Sequence, residues 1–253
     1  MVKTSTSQPS PLSPTHWPTE AFVWWQSVLL AFALCLAIFV PAFGFLIVLL
    51  SGGFVSRHDL ETLSWPFIIV QLISYAFPLA VLVAALPRVA HRSLSDLGLR
   101  APRLSDLAWG IGGAVAMVVF AALVSYWQDL VFHLKADEVQ VHLLRQARGS
   151  LVGGFVFLAC FVAPFFEELT FRGFVFNALL RYLPVWLAAL GSAVIFGLVH
   201  WLPGNAGALA PLAAGGLVLA LVYYVSRSLV ASMITHACFN ACTVVAVLVF
   251  HQA

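Results

Sequence analysis

Charged residues are scarce in this sequence of 253 residues, of which 62% are hydrophobic and only 9% are charged. Soluble domains carry about 25% charged residues. A soluble fold of this length could not cover its surface with so few charges, so that class is excluded. The sequence also lacks a basic patch with interleaved aromatic residues, which argues against nucleic acid as a partner. The composition is that of a polytopic membrane protein.

Cysteine is rare as well, and all four cysteines lie within apolar runs: Cys35, Cys160, Cys238 and Cys242. None of them forms a Cys-x-x-Cys pair, which argues against a thioredoxin-like motif or a zinc ribbon. We interpret them as small buried hydrophobic side chains.

What the sequence has in abundance is long apolar runs, and a spanning helix needs about 20 apolar residues. Residues 1–21 are rich in Ser, Thr and Pro and are predicted to form a disordered tail. Residues 22–148 are predicted to form an N-terminal group of transmembrane helices, and residues 149–250 are predicted to form a C-terminal group. The predicted fold is an all-α transmembrane bundle with about seven spanning segments, at residues 22–50, 66–87, 107–132, 151–182, 184–202, 207–226 and 228–250.

Lysine and arginine are distributed unevenly among the loops between these segments. They are more frequent on the side of the N-terminus, and the loop at residues 87–102 carries most of the difference. Positive residues favour the cytoplasmic side of a membrane. The sequence therefore predicts an integral membrane protein with a cytoplasmic N-terminus, and its short loops are typical of a bacterial cytoplasmic membrane protein.

Three charges stand inside one apolar segment, at Glu167, Glu168 and Arg172. Each charge near the bilayer centre costs about 2.5–3.5 kcal/mol on insertion scales. Glu168 and Arg172 are i,i+4 neighbours on a helix and can pair, which reduces their cost. Glu167 points about 100° away around the helix and is left to face a cavity. Pro164, one turn earlier, can kink the helix there.

Two further motifs follow on later helices, Phe196-x-x-x-His200 and His236-x-x-x-Asn240. Taken alone, His200 could be an interfacial histidine, and the pair His236 and Asn240 could be polar contacts between helices. Intramembrane polar residues normally face the bundle interior or a wet cavity. Their depths along straight helices differ by about 10 Å at 1.5 Å per residue. A single site therefore requires tilted or broken helices.

In this order and on successive helices, the three motifs resemble the CPBP family. These are the intramembrane endopeptidases of the CAAX-protease and bacteriocin-processing group, also called Rce1-like or ABI proteins. The resemblance covers about residues 150–245, the last four predicted helices, and implies a catalytic cavity among them. It also implies supporting roles for Glu168, Arg172 and Phe196.

For the reaction, the resemblance implies that Glu167 is the general base that activates a water molecule and that His200 helps to hold that water. It implies that His236 and Asn240 donate hydrogen bonds to the oxyanion of the tetrahedral intermediate. Such donors are among the largest contributions to catalysis, because the removal of one of them lowers the rate by about 10²–10³-fold. The predicted partners are the lipid bilayer and a peptide or lipidated-protein substrate, of the CAAX type or of a bacteriocin or leader-processing type.

A metal-dependent mechanism is the alternative, because one glutamate and two histidines can bind zinc with an open position for water. The zinc ligands would then be Glu167, His200 and His236. The sequence has no His-Glu-x-x-His motif, and a glutamate that binds zinc cannot readily act as the base in the same step. We therefore favour a mechanism without a cofactor and keep zinc as the second choice.

Two alternative functions remain open at this stage. The chain could be a non-enzymatic membrane interaction or immunity protein of the same fold, which would not need the complete polar set. It could also be a proton-coupled transporter, since Glu and His residues relay protons in membranes. We rank the transporter lowest because the sequence shows no inverted repeat.

Overall fold

The computed structural model describes most of the chain from residue 63 onwards. The predicted tail at residues 1–21 and nearly all of the predicted first span at residues 22–50 lie outside the described residues, which are 47, 51–53, 63–89, 93–136, 139–200 and 206–250. The described part contains helices and no β-strand, which confirms the all-α prediction. In chain order the helices are α1 (Trp65–Val89), α2 (Leu104–Phe132), α3 (Val139–Gln146), α4 (Ser150–Leu180), α5 (Val185–Val199), α6 (Leu209–Ser226) and α7 (Leu229–Phe250).

Four helical segments are long and apolar enough to cross a membrane, and they are Leu104–Phe132, Ser150–Leu180, Ala206–Ser226 and Leu229–Phe250. Large apolar side chains such as Trp109, Val115 and Trp127 are exposed on the outside of α2. A surface of this kind is compatible with lipid and not with water. The chain is an integral membrane protein with a polytopic helical bundle.

The helix α5 is shorter than the span predicted at residues 184–202. It has 15 residues and ends at Val199, and His200 follows with φ −89° and ψ 3°. At 1.5 Å per residue the helix is about 22 Å long, less than a hydrocarbon core of about 30 Å. Pro203 and Gly204 follow in the sequence, and both residue types are unfavourable inside a helix.

Helix α2 packs against α6 and α7 through small residues. A Cβ atom at Gly113 would lie 2.5 Å from Thr235 Oγ1 on α7, so a larger residue there would force that side chain to move. This close approach lets Thr235 Oγ1 donate a hydrogen bond to Gly110 O at 3.2 Å. Small residues allow such backbone contacts between membrane helices.

The connection between α1 and α2 is bound to the junction of α6 and α7. The Leu229 amide donates to Gly98 O at 3.2 Å, and the Tyr223 hydroxyl donates to Leu97 O at 3.0 Å. Gly98 has φ +86°, and a Cβ atom there would lie 3.0 Å from Arg227 O. Glycine is therefore required both by the backbone conformation and by the close contact.

Candidate active site

Helix α4, which carries the paired glutamates, changes its hydrogen-bond register twice. It is π-helical at Leu158–Val162 and at Leu169–Phe176, and the α-helical segment Ala163–Glu168 lies between them. Single π-turns inside α-helices occur frequently at functional sites. Both glutamates therefore lie at the end of a short α-helical turn between two widened segments.

The first widened turn is explained by Pro164, which has no backbone N–H to donate. A helical carbonyl accepts from the N–H four or five residues later, which for Ala159 O means Ala163 or Pro164. The Ala163 N–H bonds to Leu158 O instead, and Pro164 has no N–H, so Ala159 O has no backbone donor within the helix. The Asn240 side chain supplies a donor from α7, with Nδ2 at 2.7 Å from Ala159 O.

Asn240→Ala is therefore expected to lower the free energy of unfolding by about 1–2 kcal/mol, the value of a polar contact between membrane helices. In a Pro164→Ala background the cost should be much smaller, because residue 164 then has an N–H to donate. Unfolding of the four purified proteins in mixed micelles measures the coupling. An equal cost of Asn240→Ala in both backgrounds would show that the proline does not create the need for this amide.

Glu168 is the centre of a buried hydrogen-bond network. Its Oε1 accepts from Arg172 Nη1 and from His236 Nδ1, each at 2.9 Å. Its Oε2 accepts from the Ser232 hydroxyl on α7. Glu168 and Arg172 are both completely buried, so the predicted ion pair on α4 is present. Every donor to this carboxylate comes from a side chain, and Glu168 is occupied as an acceptor.

Arg172 links this network to two other helices. Its Nη2 donates to Gly216 O of α6 at 2.9 Å, and its Cζ lies 4.7 Å from the centre of the Phe196 ring on α5. The ring of Phe196 also lies 4.7 Å from that of His200 and 5.9 Å from that of His236, measured between centroids. The ring of Phe196 thus lies close to the buried guanidinium and to the rings of both histidines.

Glu167 is buried beside the network and faces both histidines. Its Oε2 lies 3.7 Å from His200 Nε2 and 3.8 Å from His236 Nε2. Its Oε1 accepts a hydrogen bond from the Tyr75 hydroxyl of α1 at 2.8 Å. Three of the residues singled out in the sequence therefore lie together. The helices are irregular near these residues, since α4 changes its hydrogen-bond register on both sides of Glu167 and α5 ends at Val199, directly before His200.

The hydrogen bonds of the two histidines define which ring nitrogen carries a proton. His200 Nδ1 lies 2.7 Å from Phe196 O, and a carbonyl oxygen can only accept, so Nδ1 is protonated. His236 Nδ1 is likewise protonated, because its partner is the acceptor Glu168. In the neutral ring, Nε2 then carries the lone pair. Both histidines present this atom to Glu167.

The fit of this site to zinc can be judged from the donor geometry. Two imidazole nitrogens that face a carboxylate are suitable zinc donors by chemistry. Within the described ranges, however, no group of three His, Cys, Asp or Glu side chains is arranged to hold a metal ion.

Two residues of the site were not singled out in the sequence. Ser232 lies four residues before His236 and eight before Asn240, so the stripe of polar residues on one face of α7 could have revealed it. Tyr75 gave no signal, because an isolated tyrosine in an apolar helix is common near membranes. Only the packing of α1 against α4 brings it to Glu167.

The fold and the site together define a membrane-embedded helical protein with a buried carboxylate between two imidazoles. Residues 149–242 match the family model described as type II CAAX prenyl endopeptidase Rce1-like. This match agrees with the resemblance drawn from the three motifs, and it covers the helices that carry them. No curated protein and no solved structure matches the chain.

Proposed function

We propose that this chain is an intramembrane endopeptidase that hydrolyses a peptide bond with a water molecule activated by Glu167. One observation carries the proposal, namely the position of Glu167 Oε2 at 3.7 and 3.8 Å from the two Nε2 atoms. These separations are too long for direct hydrogen bonds, and a bridging water satisfies groups at such distances. Glu167 can take a proton because Glu168, and not Glu167, holds Arg172.

The reaction follows from the proton positions. The water donates one proton to Glu167 Oε2 and directs the other towards His200 Nε2. Its oxygen attacks the substrate carbonyl carbon while Glu167 takes up the first proton. The tetrahedral intermediate then collapses, the carbon–nitrogen bond breaks, and Glu167 returns that proton to the leaving amine.

The oxyanion is stabilised by His236 and Asn240. His236 can donate through Nε2 only in the doubly protonated ring, in which the Nδ1–H stays bonded to Glu168 Oε1. The Asn240 amide has two N–H groups, of which one bonds to Ala159 O. The second is available to the substrate. Donors that are fixed before the reaction lose no free energy to reorganisation at the transition state.

The substrate is proposed to be a membrane-associated peptide or protein with a lipid-modified segment of the CAAX type. The lipid-facing surface of the bundle and the name of the matching family support this class. A bacterial leader or bacteriocin precursor is the alternative substrate. The cytoplasmic N-terminus and the bacterial membrane stay predictions from the sequence.

The proposal is tested with the full chain reconstituted in vesicles and an internally quenched, farnesylated CAAX peptide. We expect cleavage at one bond, identified by mass spectrometry, with the same rate after treatment with a chelator. If the chelator abolishes cleavage and the purified protein contains one zinc ion per chain, the zinc mechanism replaces this one. If neither the farnesylated peptide nor an unmodified peptide library is cleaved, the proposal fails in favour of a non-enzymatic membrane interaction protein.

A further inference from the structure

The residue Tyr75 lies on α1, outside the segment that matches the family, and yet contacts the carboxylate at the centre of the site. We infer that Tyr75 is a positioning residue that holds Glu167 so that Oε2 faces the two histidines. The inference rests on the proposed function, because it assigns to Tyr75 the orientation of the proposed base. Its evidence is the hydrogen bond from the Tyr75 hydroxyl to Glu167 Oε1 at 2.8 Å.

The two oxygens of Glu167 have different surroundings. Oε1 accepts from the phenol, whereas Oε2 faces His200 Nε2 and His236 Nε2 at longer distances. A glutamate side chain has several rotatable bonds and loses entropy when it is fixed. A hydrogen bond to one oxygen fixes both the position and the rotation of the carboxylate. The other oxygen is then held in the direction from which it can take a proton.

The ring of Tyr75 is fixed by contacts that do not involve its hydroxyl. It stacks on Phe166, with 5.5 Å between ring centroids and 15° between the planes. Phe166 is in turn held edge-on against Phe165 at 5.3 Å. Phe165 and Phe166 lie directly before Glu167 in α4. The residues that hold the Tyr75 ring are therefore next to the residue that accepts its hydrogen bond. Phenylalanine at position 75 can keep this stacking and remove only the hydrogen bond.

Tyr75→Phe is therefore expected to lower kcat by about 10–100-fold, the range that corresponds to a hydrogen bond to a charged group. KM should stay close to that of the wild type because the ring still packs on Phe166, and the melting temperature should fall no further than in the control variant described below, which also loses buried hydrogen bonds. A residue that only stabilises the fold would instead change the melting temperature and leave kcat per folded molecule unaltered. An unchanged kcat in Tyr75→Phe would overturn the inference.

The matched control is Tyr223→Phe, since Tyr223 is a buried tyrosine whose hydroxyl donates to Leu97 O and accepts from Asn177 Nδ2. It loses two structural hydrogen bonds, and neither involves a residue of the proposed reaction. We expect a lower melting temperature and an unchanged kcat. The two tyrosine variants should thus differ in kcat, which falls only in Tyr75→Phe.

The experiment separates this inference from the proposed function by including Glu167→Gln with the farnesylated peptide. If wild type and Glu167→Gln cleave equally, the proposed function fails. If the wild type cleaves, Glu167→Gln does not, and Tyr75→Phe matches the wild type, only the inference on Tyr75 fails.

A spectroscopic measurement decides on the hydrogen bond without any substrate. The Fermi doublet of tyrosine in ultraviolet resonance Raman spectra reports whether the phenol donates a hydrogen bond. The difference between wild type and Tyr75→Phe isolates the signal of Tyr75. With Glu167 present, we expect the difference spectrum to show a hydrogen-bonded phenol donor. With Glu167→Ala, the same difference spectrum should lack that signal, and an identical signal in both cases would overturn the inference.

Discussion

Glu167→Gln is expected to lower kcat by about 10²–10⁴-fold, the contribution of a well-placed general base. The amide has nearly the same shape as the carboxylate, and its oxygen can still accept the hydrogen bond from Tyr75. It cannot take a proton from water, so the attacking hydroxide is not generated. Because the amide is neutral, its burial costs less than that of the carboxylate. The variant should therefore fold and insert at least as well as the wild type.

The measurement is single-turnover cleavage of the farnesylated peptide by equal amounts of reconstituted protein. Asp129→Asn is the matched control, because it is also an acid-to-amide change but lies at an exposed position of α2. We expect the control to cleave at the wild-type rate. Cleavage by Glu167→Gln at that rate, with product at the same bond, would remove Glu167 from the role of base.

The helical bundle and the ion pair of the site could be predicted because lipid restricts what a sequence can do. Backbone groups in a bilayer must be satisfied within a helix or a barrel, so long apolar runs indicate helices. An unpaired charge is costly there, so Glu168 and Arg172 at i,i+4 spacing indicate a pair. The structure contains that pair with both side chains buried. Local spacing was sufficient in both cases.

The spatial arrangement of the site could not be predicted in the same way. The register changes of α4 depend on what packs against it, and one of them is matched by Asn240 on another helix. The hydrogen bond between Tyr75 and Glu167 joins residues that are 92 positions apart. Such contacts depend on how helices pack, and helical periodicity describes only one helix at a time. The sequence predicted a span over residues 184–202, whereas α5 ends at Val199.

Arg172→Leu is expected to lower the free energy of unfolding by about 3–5 kcal/mol, the cost of removing one partner of a buried ion pair. Glu168 would keep its bonds to Ser232 and His236 but would be a buried charge without its guanidinium. Arg145→Leu is the control, because Arg145 is exposed on α3, and its cost should be close to zero. Unfolding of the purified variants in mixed micelles gives both values.

The double variant Glu168→Leu/Arg172→Leu distinguishes a role of the buried pair in folding from a role in the active site. Replacing a whole buried pair by apolar residues is often neutral or stabilising, so the double variant should be more stable than Arg172→Leu alone. It should nevertheless fail to cleave, because His236 loses the carboxylate that fixes its protonated Nδ1. If the double variant were less stable than either single change, the pair would contribute mainly to folding. Recovered stability without activity would mean that the pair serves the site, because Arg172 holds Glu168 and Glu168 orients His236.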